Sequence, residues 1–591
     1  MKKIIALGLS SILLIILYYF FSTSISKWVW FGIWLVLYTI SLVFAFKGIN
    51  ASFKQNIKEI ISKDRKIIIF LILLFVLAII PYFSEYPFVV VGDEVRDAPL
   101  SGLYMLTYES HDPFGIGPYA ASGNFIGVFT AISYTFFGSS DITHRIWGVI
   151  FQAILVFFIY LVSHILFTRR VAIMSAIITS FSVFLLHYGR TEILVQLDAV
   201  LSAVIIFALI AVHKVGNKYS YLFFGLIAGL SMHFYMGSRL LFFLAVVTII
   251  LSKIYIFIRT ENRIDFVKKS LIDLFLLTLG ILIVVGPSLI YFAVPGNLVG
   301  FTGQTSVFWN NTEFLSLGLL DQVWFLLWQY IQAFGVYFIV PVSQYWHFSY
   351  PTPLITYPLQ PFFVLGFLFL LRNSSKHANK IWFIVAILFL FPILSQVIIL
   401  TVGASHRLLS IIPFVVIVSA VGLELLIIRA SKLGYLIVAL ILGVYISYSF
   451  NGYYFGRYSD IPYDRLGVKE YVIESISNDI LLDNPRSKIN YIVNNEGYDV
   501  LPAHYQEKFY YNSYPNSVEV IDTSRVVELL ENQSKEVFSI YATDISDIPH
   551  NLQDKFITNT TYCLEKEDFR DVQFECPKDF VGSYSFYKTR F

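Results

Sequence analysis

The sequence predicts a polytopic α-helical membrane protein of about 13 transmembrane helices, followed by an external α/β domain. Of its 591 residues, 57% are hydrophobic and 14% are charged, whereas soluble domains carry about 25% charged residues. The charge is also divided unevenly. Residues 1–450 contain 28 Lys and Arg against 17 Asp and Glu, and residues 451–591 contain 14 against 23. A basic apolar region and an acidic tail indicate two parts that lie in different solvents.

Apolar runs long enough to cross a bilayer predict the membrane helices. They lie at about 4–21, 28–46, 67–83, 144–166, 171–187, 197–213, 219–235, 238–257, 270–293, 358–372, 380–400, 408–428 and 434–450. The first run follows Met-Lys-Lys, as a signal peptide would, but it lacks a small-residue cleavage site, so we interpret it as an uncleaved helix. Two further runs, 121–138 and 321–342, are predicted to be helices on the outer membrane surface.

The distribution of basic residues predicts the orientation, because Lys and Arg concentrate on the cytoplasmic side. With the N-terminus in the cytoplasm, 22 of the 28 basic residues of 1–450 fall in inner segments, and the tail is external. The six left outside are Lys27, Arg96, Arg145, Arg190, Arg239 and Arg407. We therefore expect an integral plasma-membrane protein. Its parts are an N-terminal pair of helices with a basic loop (1–66), a membrane region (67–450) with external loops 84–143 and 294–357, and an external domain (451–591).

Ionisable residues gather on this outer side. Loop 84–143 carries Asp93 and Glu94 in "VVGDEVRDA", and Glu109 and His111 in "ESHDPFG". Such groups are costly at a membrane edge unless they are solvated or used. Short outer turns add Arg190, Arg239 and Arg407, whose planar guanidinium groups suit phosphate oxygens. Carboxylates beside arginines from separate turns would hold an anionic lipid headgroup next to a general base.

The motifs resemble the GT-C superfamily of polyprenyl-phosphate-sugar-dependent glycosyltransferases, in order and spacing over roughly residues 67–450. Within it, the chain most resembles family 39, the protein O-mannosyltransferases and aminoarabinose transferases. The Asp-Glu pair that opens the family's first external loop is matched by Asp93-Glu94, and its surface helix ending in Phe-Gly is resembled by "NFIGVFTAISYTFFG". The family's later motifs are matched by Arg145, by Arg190 to Asp198, and by His406-Arg407 in "SHRLLSIIPF".

This resemblance implies transfer of a monosaccharide from a dolichyl or undecaprenyl phosphate donor to a hydroxyl or amine of a lipid, protein or glycan acceptor. Asp93 would be the general base, with Glu94 supporting it. The leaving phosphate would be stabilised first by Arg407, then by Arg190 and Arg239. Asp198 would orient an arginine or the sugar.

Other roles stay open at this point. Glu109 and His111 are either site or surface residues, Asp97 and Asp112 are expected to be solvated or capping, and Arg145 is expected to brace helix packing. No cofactor is required, but two acids near a phosphate leave a Mg²⁺ or Mn²⁺ ion open. The Trp-Trp-Asp signature of oligosaccharyltransferases is absent from the sequence, which argues against transfer of a preassembled oligosaccharide to Asn.

The tail, 451–591, alternates strand-like runs such as "KINYIVNN" with amphipathic helical runs such as "TSRVVELLENQS", which predicts a small α/β domain. Its two cysteines, Cys563 and Cys576, are the only ones in the chain. They form a candidate disulfide in an oxidising compartment, with paired free thiols as the alternative. Nothing in the tail indicates nucleic-acid binding.

Two classes compete with a transferase that moves a single sugar. A multi-pass transporter or flippase of lipid-linked sugars would also use many helices and charges, but it would place ionisable residues near the bilayer midplane and in broken helices. A lipid-linked polymerase or ligase would share the architecture and differ in its acceptor. Charges at one membrane face favour the transferase.

Overall fold

A computed structural model describes most of the membrane region and the strands of the tail. The described residues are 2–22, 25–79, 101–102, 105–106, 112–115, 124–138, 141–191, 193–234, 236–292, 312–339, 352–372, 397, 405–451, 488–492, 518–521, 538–542, 556–564, 572–573 and 583–589. The side chains of 191–196, of 405–407 and of the strands lie outside this description, as do those of Arg190 and Met236.

Helices dominate residues 2–451. The α-helices are α1 (Lys2–Phe21), α2 (Lys27–Gly48), α3 (Ala51–Ile79), α4 (Gly127–Phe137), α5 (Asp141–Leu166), α6 (Arg169–Ser180), α7 (Val183–Thr191), α8 (Ile193–Val215), α9 (Lys218–Gly229), α10 (Met236–Arg259), α11 (Arg263–Val285), α12 (Leu289–Phe292), α13 (Thr312–Ser316), α14 (Leu319–Gly335), α15 (Gln360–Arg372) and α16 (Ile412–Phe450). Short 3₁₀ helices lie at Asn124–Ile126, Leu230–His233, Gly286–Ser288, Tyr357–Leu359 and Ser405–Ile411. The predicted surface run 121–138 contains α4, and the predicted run 321–342 overlaps α14, which begins two residues earlier and ends at Gly335.

Three helices begin at a capping side chain. Thr168 accepts the N–H of Val171, Asn217 accepts that of Ser220, and Asn262 accepts that of Asp265. Each cap satisfies one of the N–H groups that a helix start leaves without a partner. The next residues are Arg169, Lys218 and Arg263, so these helix starts coincide with the basic turns that the sequence assigns to the inner side.

Six of the described helical segments are long and apolar enough to cross a membrane, or seven if the pair α6–α7, bent by 56°, forms one broken span. These segments and the fold make the chain an integral membrane protein. The predicted span 380–400 lies almost wholly outside the described residues, and α1, α3, α9 and α15 fall short of the same length and hydropathy criteria. The count of thirteen therefore stays a prediction.

Helix α16 contains a reversal of the chain. Ser431 has the non-helical angles φ 50° and ψ −121°. A Cβ built on Gly434 would lie 2.5 Å from the carbonyl oxygen of Leu426 and 2.7 Å from the Cα of Ile427, although residues eight apart in a straight helix are separated by about 12 Å. The two arms are thus an antiparallel hairpin, and they correspond to the predicted spans 408–428 and 434–450.

The contacts between helix ends form two groups, and these match the inner and outer groups that the charge distribution predicts. Residues assigned to the inner side touch one another, in the pairs Asn217–Gly48, Lys214–Ile165, Arg169–Asp64, Thr168–Glu424 and Arg170–Tyr435. Residues assigned to the outer side do the same, in the pairs Tyr18–Asp112, Phe125–Phe234 and Tyr357–Tyr448. The alternation of turns between two ends agrees with the predicted topology, while the compartment at each end stays a prediction.

A buried carboxylate ties three helices together at the inner group of turns. Both oxygens of Asp64 are engaged: Oδ1 accepts from Nε and Nη2 of Arg169, each at 2.8 Å, and Oδ2 accepts from the Tyr160 hydroxyl at 2.8 Å. His164 lies 3.5 Å from Oδ2. Burial acts to raise the pKa of Asp64, but the hydrogen bonds from Tyr160 and Arg169 and the charge of Arg169 together hold it below its ordinary value.

Asp64→Asn is expected to destabilise the protein at neutral pH by about 2 kcal/mol, because it removes hydrogen bonds to a charged group. The folded pKa lies below the unfolded value of 3.8, so the carboxylate contributes stability above pH 4 and loses that contribution as the pH falls through the folded pKa. The difference in thermal unfolding midpoint between wild type and Asp64→Asn should therefore shrink below pH 4. Asp265→Asn, at an exposed aspartate, is the control. An equal difference at pH 7 and pH 3 would contradict this prediction.

The strands of the tail form one six-stranded sheet. They are β1 (Lys488–Ile492), β2 (Val518–Ile521), β3 (Phe538–Ala542), β4 (Phe556–Leu564), β5 (Val572–Gln573) and β6 (Ser583–Thr589). Their order is β2-β1-β3-β6-β4-β5. Strand β1 pairs in parallel with β2 and β3, and the other pairings are antiparallel.

The connections between the strands of this sheet are relevant to the predicted α/β domain, because a crossover between parallel strands usually contains a helix. Strands β2 and β3 lie on either side of β1, so the chain must cross over the sheet between them, and parallel crossovers usually contain a helix. The predicted helical run "TSRVVELLENQS" occupies this connection but lies outside the described residues, as do the other predicted helices of the tail. The α/β character therefore stays a prediction. Cys563 lies in β4 beside Gln573, and Cys576 lies outside the described residues.

Candidate active site

The predicted catalytic acids belong to a part of loop 84–143 that the structure does not describe. Asp93, Glu94, Glu109 and His111 all lie outside the described residues. The described part of the candidate site consists of helix ends that lie on the same side of the membrane as this loop in the predicted topology.

Three segments meet at Gly237, near the start of α10. A Cβ built on Gly237 would lie 2.3 Å from Oδ2 of Asp198 in α8, and 2.6 Å from Oγ of Ser410 in the 3₁₀ helix Ser405–Ile411. Only a hydrogen atom fits at this point. We call the end of the helix bundle that carries Asp198, Gly237 and Ser405–Ile411 the site end.

Asp198 is fully buried and faces the beginning of another helix. The N–H groups of Gly237 and Ser238, the Ser238 hydroxyl and the charge of Arg239 all act on its carboxylate. Neither carboxylate oxygen has a hydrogen bond of ordinary geometry from the described residues, and the same holds for the Ser410 hydroxyl. Asp198 thus retains capacity to accept hydrogen bonds in a site where buried polar groups are normally satisfied.

Asp198 is not the N-terminal cap of α8. Helix α8 begins at Ile193, so Asp198 lies inside it and does not cap its own helix. Its carboxylate faces the first turn of α10, where the helix dipole favours a negative charge.

Arg239 is buried at the site end, with 8% of its surface exposed. Its charge acts on both Asp198 and His233. A snorkelling arginine keeps its guanidinium group in water, whereas this side chain is enclosed beside a carboxylate. Arg239 therefore belongs to the interior of the site end.

The other two predicted arginines, Arg190 and Arg407, lie in backbone segments at the site end. Arg190 lies near the end of α7 (Val183–Thr191), and Arg407 lies in the 3₁₀ helix Ser405–Ile411. This 3₁₀ helix packs against α7, α8 and α10. The segments that carry Arg190, Asp198 and Arg239 thus all contact the segment that carries Arg407.

His233 is a buried residue of the site end that the sequence reasoning missed. Its Nε2 lies 3.0 Å from the carbonyl oxygen of Val284, and its ring stacks on Phe125 at 5.0 Å between centroids. The charge of Arg239 reaches it. The only signal in the sequence was its place in "MHFYMGSR", six residues before Arg239.

Asp112 and Arg145 can be compared with their predicted structural roles. Arg145 is buried with 1% exposed, in agreement with a role in helix packing. Asp112 is buried, so the expectation that it is solvated is wrong. Its Oδ1 instead accepts the N–H of Phe114 at 2.7 Å and closes a turn. Burial raises the pKa of Asp112, and the Tyr18 hydroxyl, the Phe114 N–H and the charge of Lys27 oppose this effect without cancelling it.

The acids that could bind a metal ion lie outside the residues that the structure describes. Within the described parts of the chain, no three His, Cys, Asp or Glu side chains lie together as a metal site would need. Asp93 and Glu94, the acids that the sequence offers to Mg²⁺ or Mn²⁺, are not among those residues.

Gly237→Ala is expected to lower the free energy of unfolding by about 2 kcal/mol, since the new methyl group would overpack Asp198 and Ser410. The shift in unfolding midpoint by denaturant or heat measures it. Gly443→Ala is the matched control, because a Cβ at this helical glycine of α16 would meet nothing within 4 Å. Equal stability of the two variants would show that the contact at Gly237 is looser than described.

Comparisons with known proteins agree with this architecture. Residues 124–291 match the family model described as dolichyl-phosphate-mannose-protein mannosyltransferase. The matched segment contains Arg145, Arg190, Asp198, His233 and Arg239. No curated protein matches the chain in sequence.

Solved structures with a similar fold include ArnT from Cupriavidus metallidurans. Bound to undecaprenyl phosphate, it is 12% identical, with a TM-score of 0.50 over 89% of this chain and 98% of ArnT. In the apo state it is also 12% identical, with a TM-score of 0.50 over 88% and 97%. The oligosaccharyltransferase of Archaeoglobus fulgidus in complex with zinc and sulfate has a lower TM-score of 0.44, at 13% identity over 86% of this chain and 73% of the other.

The apolar helices and the fold shared with ArnT show an integral membrane protein with an ArnT-like fold. The predicted resemblance to that superfamily, and to its protein O-mannosyltransferase and ArnT type, is confirmed by the family match and by the shared fold.

Proposed function

We propose that the protein transfers a monosaccharide from a polyprenyl-phosphate donor to an acceptor hydroxyl or amine at the external membrane face. The observation that carries this proposal is the site end itself. A buried carboxylate with unused acceptor capacity lies beside a buried arginine, among segments that supply two more arginines. The segment matched by the mannosyltransferase family model includes most of this constellation. The ArnT structure bound to undecaprenyl phosphate supports a lipid of this kind as donor.

The reaction needs a base for the acceptor. Asp93 takes the proton of the attacking hydroxyl or amine while the acceptor atom bonds to the anomeric carbon, and Glu94 keeps Asp93 in position. A carboxylate within hydrogen-bond reach of the acceptor is suited to this role. Glu109 and His111 belong to the same loop and contribute to acceptor or donor binding.

The leaving group needs positive charge. When the bond between the anomeric carbon and the phosphate oxygen breaks, its electron pair stays on the oxygen and a phosphodiester with one negative charge becomes a phosphate monoester that gains a second. Fixed cations placed before the reaction stabilise this change. Arg407, Arg190 and Arg239 supply them, and a divalent metal held by Asp93 and Glu94 would be an addition to this arrangement.

Asp198 orients the sugar or an arginine. Its unused acceptor capacity suits a sugar hydroxyl, since a carboxylate can accept about four hydrogen bonds. The first turn of α10 directs the N–H groups of Gly237 and Ser238 toward this carboxylate. The buried Asp198–Arg239 pair also argues against the transporter alternative, because it lies with the outer turns instead of at the middle of the spans.

Release of sugar from the lipid tests the function. Purified protein in detergent is supplied with polyprenyl phosphate that carries radiolabelled mannose, glucose or aminoarabinose, and water-soluble label is measured with and without candidate acceptors. We expect release, as transfer or slow hydrolysis, with one of these donors. Detergent removes the two compartments that a transporter needs, so release there identifies bond cleavage. Specific binding of the lipids without release would contradict the proposal, and movement of the lipid across vesicle membranes would then identify a transporter.

A further inference from the structure

The N-terminal helices α1 and α2 make polar contact with loop 84–143. The hydroxyl of Tyr18, near the end of α1, donates a hydrogen bond to Oδ2 of Asp112. The same hydroxyl lies 3.1 Å from that of Tyr291 in α12. Tyr18 is buried with 2% exposed, so this contact is part of the interior.

Asp112 in turn organises the loop around it. Its Oδ1 accepts the N–H of Phe114 at 2.7 Å, and its carbonyl oxygen accepts the N–H of Gly115 at 3.0 Å and the side-chain amide of Asn124 at 2.9 Å. The N–H of Asn124 donates back to the carbonyl of Gly115 at 3.0 Å. Residues 112–115 and 124 are thereby closed into one hydrogen-bonded unit directly after His111.

Helix α2 holds the same unit from another side. Phe114 packs edge-on against Trp34 at 5.6 Å between centroids, and the Trp34 Nε1–H donates to the carbonyl oxygens of Ile283 and Val284. Phe125 packs on Trp34 at 5.4 Å and stacks on His233. The aromatic contacts therefore run without a break from α2 through the loop to the site end.

Charge strengthens this attachment. Lys27, the first residue of α2, is buried with 5% exposed, and its positive charge acts on Asp112. A buried carboxylate is costly unless it is paired and hydrogen-bonded, so Asp112 ties the loop to the groups that satisfy it. One such group comes from α1 and another from α2.

We infer that the hairpin α1–α2 is a clamp that holds residues 112–115 and 124–126 of loop 84–143 against the site end, with Tyr18 as a positioning residue. The role in transfer rests on the proposed function, in which the loop carries Asp93, Glu94, Glu109 and His111. The clamp itself rests on the contacts of Tyr18, Lys27 and Trp34. Tyr18 touches neither donor nor acceptor in this scheme and acts through Asp112.

Two readouts test the inference with one pair of variants. Tyr18→Phe deletes the hydroxyl and keeps the ring. Tyr160→Phe is the matched control, because Tyr160 is an equally buried tyrosine that donates to a buried aspartate, Asp64, in the inner group of turns. Hydrogen exchange followed by mass spectrometry reports on peptides that cover 112–126, and steady-state kinetics reports on donor turnover.

For Tyr18→Phe we expect amide exchange in 112–126 to accelerate about tenfold, with no change in Tyr160→Phe. We also expect kcat to fall about tenfold while the KM for the donor stays within twofold, because the loop and not the donor site is loosened. Exchange equal to wild type would overturn the clamp. Faster exchange with unchanged kcat would overturn the role of Tyr18 in transfer. If the wild type releases no sugar from any donor, the proposed function fails, and the exchange measurement still decides the clamp.

Discussion

Asp93→Asn is expected to lower kcat for sugar release by roughly 10²- to 10⁴-fold, the range that a general base contributes. An amide of the same shape cannot take the proton of the acceptor, and the resemblance assigns this role to the first acid of the Asp93-Glu94 pair. The measurement is single-turnover release of label from the polyprenyl-phosphate donor. Binding of the donor should change little, because the arginines that we propose to hold the phosphate are untouched.

Asp97→Asn is the matched control for this variant. Asp97 lies four residues further along the same loop and has the same side chain, yet it has no assigned part in the chemistry. We expect it to keep wild-type turnover within about twofold. Similar losses in both variants would indicate an electrostatic effect of the acidic loop, and a loss confined to Glu94→Gln would move the base to the second acid.

Arg239→Ala is expected to reduce turnover by roughly 10²- to 10³-fold, as removal of one fixed donor at a developing negative charge does in other enzymes, a loss of about 2.7–4 kcal/mol of transition-state stabilisation. Removing the guanidinium group also leaves Asp198 buried without its neighbouring positive charge, so a lower unfolding midpoint should accompany the loss. Arg239→Lys keeps the charge but loses the planar fork, and we expect turnover between those of wild type and Arg239→Ala.

Arg259→Ala controls for the loss of an arginine from the same helix. Arg259 is the last residue of α10, at the opposite end from Arg239, and lies over the ring of Tyr255. Its replacement should leave turnover unchanged. The double variant Arg239→Ala/Asp198→Asn separates the two effects of Arg239, since it restores charge balance without restoring a cation. Recovery of stability without recovery of turnover is the expected result, and recovery of both would make Arg239 a structural partner of Asp198.

Short outer turns between apolar helices made the site end predictable. Helices that cross a bilayer alternate in direction, so every second turn must return to the same end of the bundle. Asp198, Arg239 and the segment of Arg407 are far apart in sequence, but each follows or precedes a predicted span on the same side. The contact between Asp198 and Gly237 is the physical consequence of that alternation. The chain reversal at Ser431 was likewise predicted from "IIRASKL", where two basic residues interrupt an apolar run.

The burial of polar loop residues was harder to predict. The neighbourhood of Asp112 is polar and contains Gly and Pro, which is typical of a solvated turn. Its burial depends on Tyr18, which is 94 residues away in the chain, and on Tyr291, which is a further 273 residues from Tyr18, and no local pattern encodes such a contact. The strand order of the tail has the same origin, because pairing between distant strands is a tertiary property. His233 lies in an apolar segment whose pattern indicates only a buried helix.

The separation between Tyr18 and its partners has a consequence for biogenesis. Ribosomes add about 5–20 residues per second, so Tyr18 enters the membrane several seconds before Asp112 is made and roughly 15–55 s before Tyr291 follows. During that interval the nascent chain carries α1 and α2 without the groups that they will hold. The contacts of Tyr18 with Asp112 and Tyr291 are complete only after translation has passed α12, when most of the membrane region has already been made.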